Sequence, residues 1–342
     1  MASIILILNS MVFVDSMDFA INLQFNKILN YDMEVKFNGF VNESVLKDVK
    51  SIKGVRDAYP LIDTWILIEK GGISKSASLI GLENQHLYNI YDSEGNIHMP
   101  PPKGIILPKI LASNLSIIKK EKIEFFTEFG KRRIEVYDTI QMPLTPACYA
   151  NIHELQKILG VEGINTIVLR VDDASKDYVK SKLESYDDVL RVDLIEGIKD
   201  DILEMLAFFY VFIFFSLLFG ASLGFASIFN TTTVNILERR REIATLKMMG
   251  YTNKELSYVL MIENTIAGVL GIVIGLPLGY ITSYAFLNSF QSELYYMPFV
   301  IYPRTYILTV VLVFIVIVLS LIPGVRYIRK MDIEKVTKEV VS

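Results

Sequence analysis

The chain has 342 residues, 52% of them hydrophobic, with 34 Lys/Arg against 38 Asp/Glu and a formal net charge of −4. Its mean hydropathy of +0.39 exceeds what a soluble core of this length requires, which argues for an integral membrane protein. The mildly acidic balance argues against nucleic acid as a partner. The single cysteine, Cys148, rules out a disulfide scaffold and reads as a small buried side chain rather than a nucleophile.

The N-terminus opens on Ala2 to Val14, an uncharged run of about 20 Å as a helix and therefore short of a full span. It lacks the basic start and the small-residue cleavage site of a signal peptide. The spacing predicts instead a first transmembrane helix within residues 1–17, short or truncated at its start.

Residues 18–204 hold 23 Lys/Arg and 29 Asp/Glu, so the chain's acidity lies here, in a water-facing α+β domain. Asp32–Phe37 alternates as a strand, Glu43–Ile52 has helical spacing and Val55–Ile68 is extended again. The same pattern recurs as a strand over Asn165–Val171, a helix over Ala174–Ser185 and a strand over Val189–Ile195. Two β-α-β halves predict a split, ferredoxin-like lobe. Between them Gly95–Gly163, set off by Pro100, Pro101 and Pro102, predicts an inserted strand-rich lobe with strands at Lys122–Phe126 and Arg133–Tyr137 and a helix at Ile152–Leu159. Asp172 and Asp173, where strand turns to helix, read as an N-terminal cap.

From Glu196 the helical pattern runs into Met205–Leu237, the first of three long uncharged runs; Asn264–Ser292 and Thr305–Val325 are the others. The spans are expected at 205–234, 257–286 and 305–325, joined by a cytoplasmic elbow at 235–256 and an outer loop at 287–304, with a cytoplasmic tail at 326–342. Basic residues concentrate in the elbow (Arg239, Arg240, Arg241, Lys247, Lys254) and the tail (Arg326, Arg329, Lys330, Lys335, Lys338). The positive-inside rule therefore places both termini in the cytoplasm and 18–204 outside.

In the elbow, Glu238, Arg241, Glu242 and Thr245 fall on one helical face, while Ile236, Ile243 and Leu246 form an apolar stripe. Gly250 is placed to end that helix and Thr252 with Glu255 to cap the next. A plain basic loop would satisfy the charge rule equally well. Gly220 and Gly224 in the second span, and Gly271, Gly275 and Gly279 in the third, recur every four residues and predict close helix packing, within the chain or to a partner. Glu263 is an acid within the third apolar segment, expected to face protein or water.

No catalytic, cofactor-binding or metal-binding residues emerge, so an enzyme is not expected. There is no P-loop and hence no nucleotide site of the usual kind. His86, His98 and His153 are scattered, and His153 beside Glu154 reads as a surface pair rather than a metal site.

The order of first span, large outer domain, second span, R-R-R-E-I-A-T-L-K-M-M-G-Y elbow, glycine-rich third span and basic-ended fourth span resembles the FtsX-like permeases, the MacB and LolC type of ABC transporter membrane subunit. The string from Arg241 to Gly250 is similar to that family's R-E-I-x-x-L-(K/R)-x-x-G signature. Asp15–Asp32 resembles the start of the second repeat in long two-repeat members, which would make this chain the C-terminal half of such a permease.

The resemblance implies that Arg241, Glu242, Leu246, Lys247 and Gly250 form a coupling helix for a separate ABC ATPase subunit, which would bind the ATP; the chain itself would need no cofactor. It further implies a second permease copy or a first permease repeat as partner, a membrane-lipid surround, and extraction or export of an amphiphile such as a lipoprotein, peptide or antibiotic. Two other readings stand beside it. One is a non-transporting scaffold that activates an outer partner such as a cell-wall hydrolase; the other is a passive receptor that associates with no ATPase.

Overall fold

The computed structural model describes residues 1–83, 87–142, 144, 146–289, 291 and 296–330. His86, residues 292–295 of the outer loop, and Lys335 and Lys338 with the rest of 331–342 lie outside the described residues. The chain forms two compact units. One comprises Met17–Leu206 with Phe290–Pro298, and the other Met1–Ser16, Ala207–Ser289 and Phe299–Ser342.

The first helix, α1, runs Ala2–Leu23 and continues as a π-turn over Gln24–Ile28. It is thus longer than the 13 uncharged residues of Ala2–Val14 suggest, because Asp15 does not end it. That carboxylate is 3% exposed and is fully engaged by hydrogen bonds, which removes the cost of carrying a charge inside a buried helix.

The β-rich unit follows, with strands and helices β1 (Met33–Val41), α2 (Val45–Lys50), β2 (Val55–Lys70), β3 (Ile73–Leu82), β4 (Ile90–Tyr91), β5 (Ile97–His98), β6 (Ile105–Pro108), α3 (Lys109–Asn114), β7 (Lys122–Thr127), β8 (Gly130–Ile140), β9 (Cys148–Asn151), α4 (Ile152–Leu159), β10 (Ile164–Val171), α5 (Lys176–Glu184) and β11 (Val189–Leu194). One end of its nine-stranded sheet has the order β11-β1-β10-β2, antiparallel throughout. This is the ferredoxin-like arrangement of a split β-α-β fold, as the two sequence halves predict.

The inserted lobe begins earlier than Gly95. The first half of the long strand β2 pairs with β10 up to Leu61, and from Ile62 the same strand pairs with β3. The ring then runs β3-β9-β6-β8-β7 and closes where Leu67 and Ile68 of β2 meet Phe126 and Phe125 of β7. The insertion is a small closed barrel, which leaves no open edge along that ring. Its start is invisible in the sequence because the alternation in β2 never breaks: Ala58, Ile62, Ile66 and Ile68 all enter one continuous core with Met33, Leu79, Phe125, Ile167 and Val179. The opposite face of β2 carries Leu61, Asp63, Trp65 and Leu67.

The expected cap at Asp172 is replaced by an ion pair. Its side chain takes the guanidinium of Arg56 rather than a helix N–H, since β2 brings Arg56 alongside.

The remaining helices are α6 (Ile195–Glu238), α7 (Arg240–Met248), α8 (Asn253–Ser289) and α9 (Pro303–Lys330). Helices α1, α6, α8 and α9 are each long and apolar enough to cross a membrane, which makes this a multi-pass membrane protein. The helix at α1 is mostly buried, whereas α6 and α8 leave most of their length exposed.

Candidate functional site

The membrane unit is organised around α1. A Cβ added at Gly220 or Gly224 of α6 would meet Leu6, Ile7 and Ser3; one added at Gly275 or Gly279 of α8 would meet Ile4 and Leu8. Gly271 sits more loosely, 3.8 Å from Ile4. Both glycine rows therefore lie against the same helix, letting its backbone approach two neighbours. Polar side chains reinforce the contact. Asn9 Oδ1 accepts from Ser283 and from Thr282 at 3.2 Å, and Ser10 donates to Ser216 at 2.9 Å. The sequence carries a signal for this that reading by charge alone misses: Asn9, Ser10, Asp15 and Ser16 interrupt an otherwise apolar helix.

At the other end of these helices α6 stops at Glu238, breaks for one residue at Arg239, and resumes as the short helix α7. Ile243 and Leu246 of α7 pack on a small core of Ile236, Leu256, Leu260 and Ile328. The apolar stripe thus holds the elbow to its own bundle. Lys247 donates from Nζ to the carbonyl of Ile328 at 2.7 Å, supplying a cation to the last turn of α9.

The turn after α7 is a Schellman motif. Gly250 has φ +98°, its N–H reaches the carbonyl of Lys247, and the N–H of Tyr251 reaches that of Leu246, both at 3.1 Å. Helix α8 then starts on a reciprocal capping box. The N–H of Thr252 donates to Glu255 at 2.8 Å and the N–H of Glu255 to the Thr252 hydroxyl at 3.4 Å.

The five residues named for coupling thus divide. Leu246 and Lys247 turn inward and Gly250 shapes the bend, while Arg241 and Glu242 are exposed. Beside them Met248, Met249 and Tyr251 are 56%, 72% and 49% exposed, an apolar group at the hydrogen-bonded turn. Methionine and tyrosine on such a surface suit protein contact. Sequence reasoning passed over these three because apolar residues near a span read as membrane.

Glu263 has a partner that linear sequence hides: Arg239 Nη1 lies 3.2 Å from its Oε2. Arg239 also approaches Glu242 at 3.8 Å, linking the hinge residue to both the elbow and α8.

No group of His, Cys, Asp or Glu among the described residues could hold a metal ion. His98 pairs with Asp92 at 2.9 Å and His153 with Glu83 at 2.7 Å. Cys148 is buried in β9, and burial pushes its thiol pKa well above the ordinary value, so little of it is the reactive thiolate.

Residues 203–333, which span α8, α9 and most of α6 with the elbow between, match the family model described as FtsX-like permease C-terminal. An uncharacterized ABC transporter permease protein of Mycobacterium tuberculosis is 22% identical over 187 residues, covering 52% of this chain and 22% of that protein. The chain therefore spans about a fifth of the length of the curated relative it matches. Among solved structures, the periplasmic region of MacB from Actinobacillus actinomycetemcomitans aligns with a TM-score of 0.33 and 15% identity, over 53% of this chain and 97% of that one. The extracellular domain of the noncanonic ABC-type transporter YknZ from Gram-positive bacteria aligns with a TM-score of 0.32 and 10% identity, over 48% and 100%.

Proposed function

We propose that this chain, whose membrane part is an FtsX-like permease C-terminal domain, is the membrane subunit of an ABC transporter. In this reading a separate ATPase subunit docks on the elbow, and its ATP cycle moves the β-rich domain on the other side of the membrane to extract or export an amphiphile such as a lipoprotein, peptide or antibiotic. Both termini and the elbow are cytoplasmic. The observation that carries the reading is the family match over 203–333 together with the exposed face of Arg241, Glu242, Met248, Met249 and Tyr251 inside that span.

The elbow has what a docking surface needs. It is fixed by a Schellman turn, a capping box and a small core, so little ordering is required when a partner binds. Its exposed charges are placed to select a complementary partner and its apolar centre to anchor it. On α6, Phe208, Phe212, Phe215 and Phe219 are all at least 60% exposed and share one helical face, a stripe suited to lipid or to a second permease copy.

The test exchanges the charges, Arg241→Glu with Glu242→Arg, and measures recruitment of the ATPase that co-purifies with the wild-type chain. Both side chains are exposed, so the variant should keep its thermal stability and lose the ATPase. Recruitment at the wild-type level overturns the reading.

A further inference from the structure

We infer that the β-rich domain binds a zwitterionic amphiphile in a groove along the outer face of β2 and β3. The groove consists of two adjoining cavities. One, of about 370 Å³, is lined by Glu34, Lys36, Asp63, Arg191 and Asp193, by the tyrosines 31 and 88, and by a similar number of aliphatic side chains. The other, of about 290 Å³, is lined largely by Trp65, Ala77, Pro108, Leu111, Pro146 and Ala147. Ile80 and Tyr88 line both, so the charged cavity lies directly beside the apolar one.

The charged end sorts its charges by sign. Strand register sets Lys36 directly opposite Arg191 and Glu34 directly opposite Asp193, two like-charge pairs side by side, each of which is destabilising on an antiparallel ladder. Opposite charges beside each pair offset that repulsion. Lys36 contacts Asp63, and Glu34 at 3.5 Å, and Arg191 contacts Asp193 at 2.9 Å. Three carboxylates have capacity beyond the donors they receive from Lys36, Arg191, Tyr31 and Ser78. A head group bearing an ammonium and an anion side by side matches a row of two anions beside a row of two cations. The tyrosine rings at 31 and 88, stacked with centroids 6.1 Å apart, add an aromatic wall for the ammonium.

The apolar end accounts for Trp65. It is the one tryptophan in the chain and is 66% exposed, which places a large apolar ring in water unless something covers it. An alkyl tail running past Ile80 would do so. The inference names a ligand class for the permease proposed above and rests on that reading for its biological use, but the binding itself needs no ATPase.

Trp65 is its own reporter. The full chain in lipid nanodiscs, without any ATPase, is titrated with α-aminodecanoate while tryptophan emission is followed, with octylamine, octanoate and octyl glucoside as single-charge and neutral comparators. A saturable blue shift is expected with α-aminodecanoate, at least about tenfold weaker with each comparator because one charge-assisted set of contacts is lost. The variant Asp193→Asn, at the rim of the groove, is expected to weaken it by a similar factor. Should that variant fail to fold, Arg191→Gln serves the same purpose. A non-saturating response, equal responses from all four probes, or an unchanged response in a folded variant overturns the groove. ATPase recruitment unchanged by the Arg241→Glu with Glu242→Arg exchange, with groove binding intact, would instead count against the permease reading alone.

Discussion

Asp15 caps a helix that lies almost three hundred residues away in the chain: its Oδ2 accepts the backbone N–H of Tyr302 at 3.0 Å, just ahead of α9. The hydroxyl of Thr305 donates to the same oxygen, and Arg304 approaches the other at 3.3 Å. The next residue continues the pattern, since Ser16 and Val300 exchange hydrogen bonds at 3.1 and 3.2 Å. With Pro303 as the first helical residue, whose missing N–H is no loss there, the start of α9 depends on α1 for its remaining donors.

Removing that carboxylate should therefore be costly. Asp15→Ala leaves the Tyr302 N–H and the buried Thr305 hydroxyl without this acceptor and is expected to destabilise the membrane unit by roughly 1–3 kcal/mol. Asp15→Asn keeps one acceptor oxygen and should lose about half as much. Thermal unfolding of both variants in nanodiscs checks the order; equal stability of Asp15→Ala and the wild type would show that the cap contributes nothing.

The two glycine environments on α8 make a sharper comparison. At Gly275 a new Cβ falls 3.1 Å from Cβ, Cγ2 and Cδ1 of Ile4, and an isoleucine Cβ cannot move without its backbone. Gly275→Ala is expected to cost about 1–3 kcal/mol through forced separation of α1 and α8. At Gly271, one turn earlier, the nearest atom is an ordinary 3.8 Å away. Gly271→Ala is expected to be neutral or to stabilise by up to about 1 kcal/mol through helix propensity. The same melting experiment reads both, and a reversed order would mean that the row at Gly275 is not packed on α1.

These contacts show where sequence reasoning reached and where it stopped. The alternation of Asp32–Phe37, the apolar strand run of Asn165–Val171, and the turn chemistry of Gly250 and Thr252–Glu255 are local properties; each is decided within a few residues and so is written in the order of the chain. The glycine period could be seen, but not that Ile4 and Leu8 fill it. Asp15 ended the uncharged run and made the first helix look short, because the donors that satisfy its carboxylate come from residues 302 onward. Glu263 read as partnerless because Arg239 reaches it only after α6 and α8 fold back on each other. The barrel's start inside β2 was hidden for a different reason: one unbroken alternating face serves two sheets, so the pattern records burial but not the change of neighbour.

Three buried tyrosines of the β-rich unit give a prediction in pH. Burial, and for Tyr31 the adjacent Glu34, hold the phenols of Tyr31 and Tyr88 well above their ordinary pKa, and burial raises Tyr149 to about 12. Burial opposes the charge of Lys36, but Asp63 and Glu34 outweigh it and its pKa too is raised. All four groups hold their protons more tightly folded than unfolded. Above pH of about 10 the unfolded chain gives up protons that the folded one keeps, so the stability they contribute is complete below that pH and falls as pH rises toward the folded-state values. Tyrosinate absorbance followed alongside unfolding should show these phenols ionising only as the β-rich unit opens. Tyr31→Phe removes one of the linked groups and should make the alkaline loss of stability less steep, whatever its stability at neutral pH. An unchanged slope in that variant would mean that Tyr31 is not held protonated by the fold.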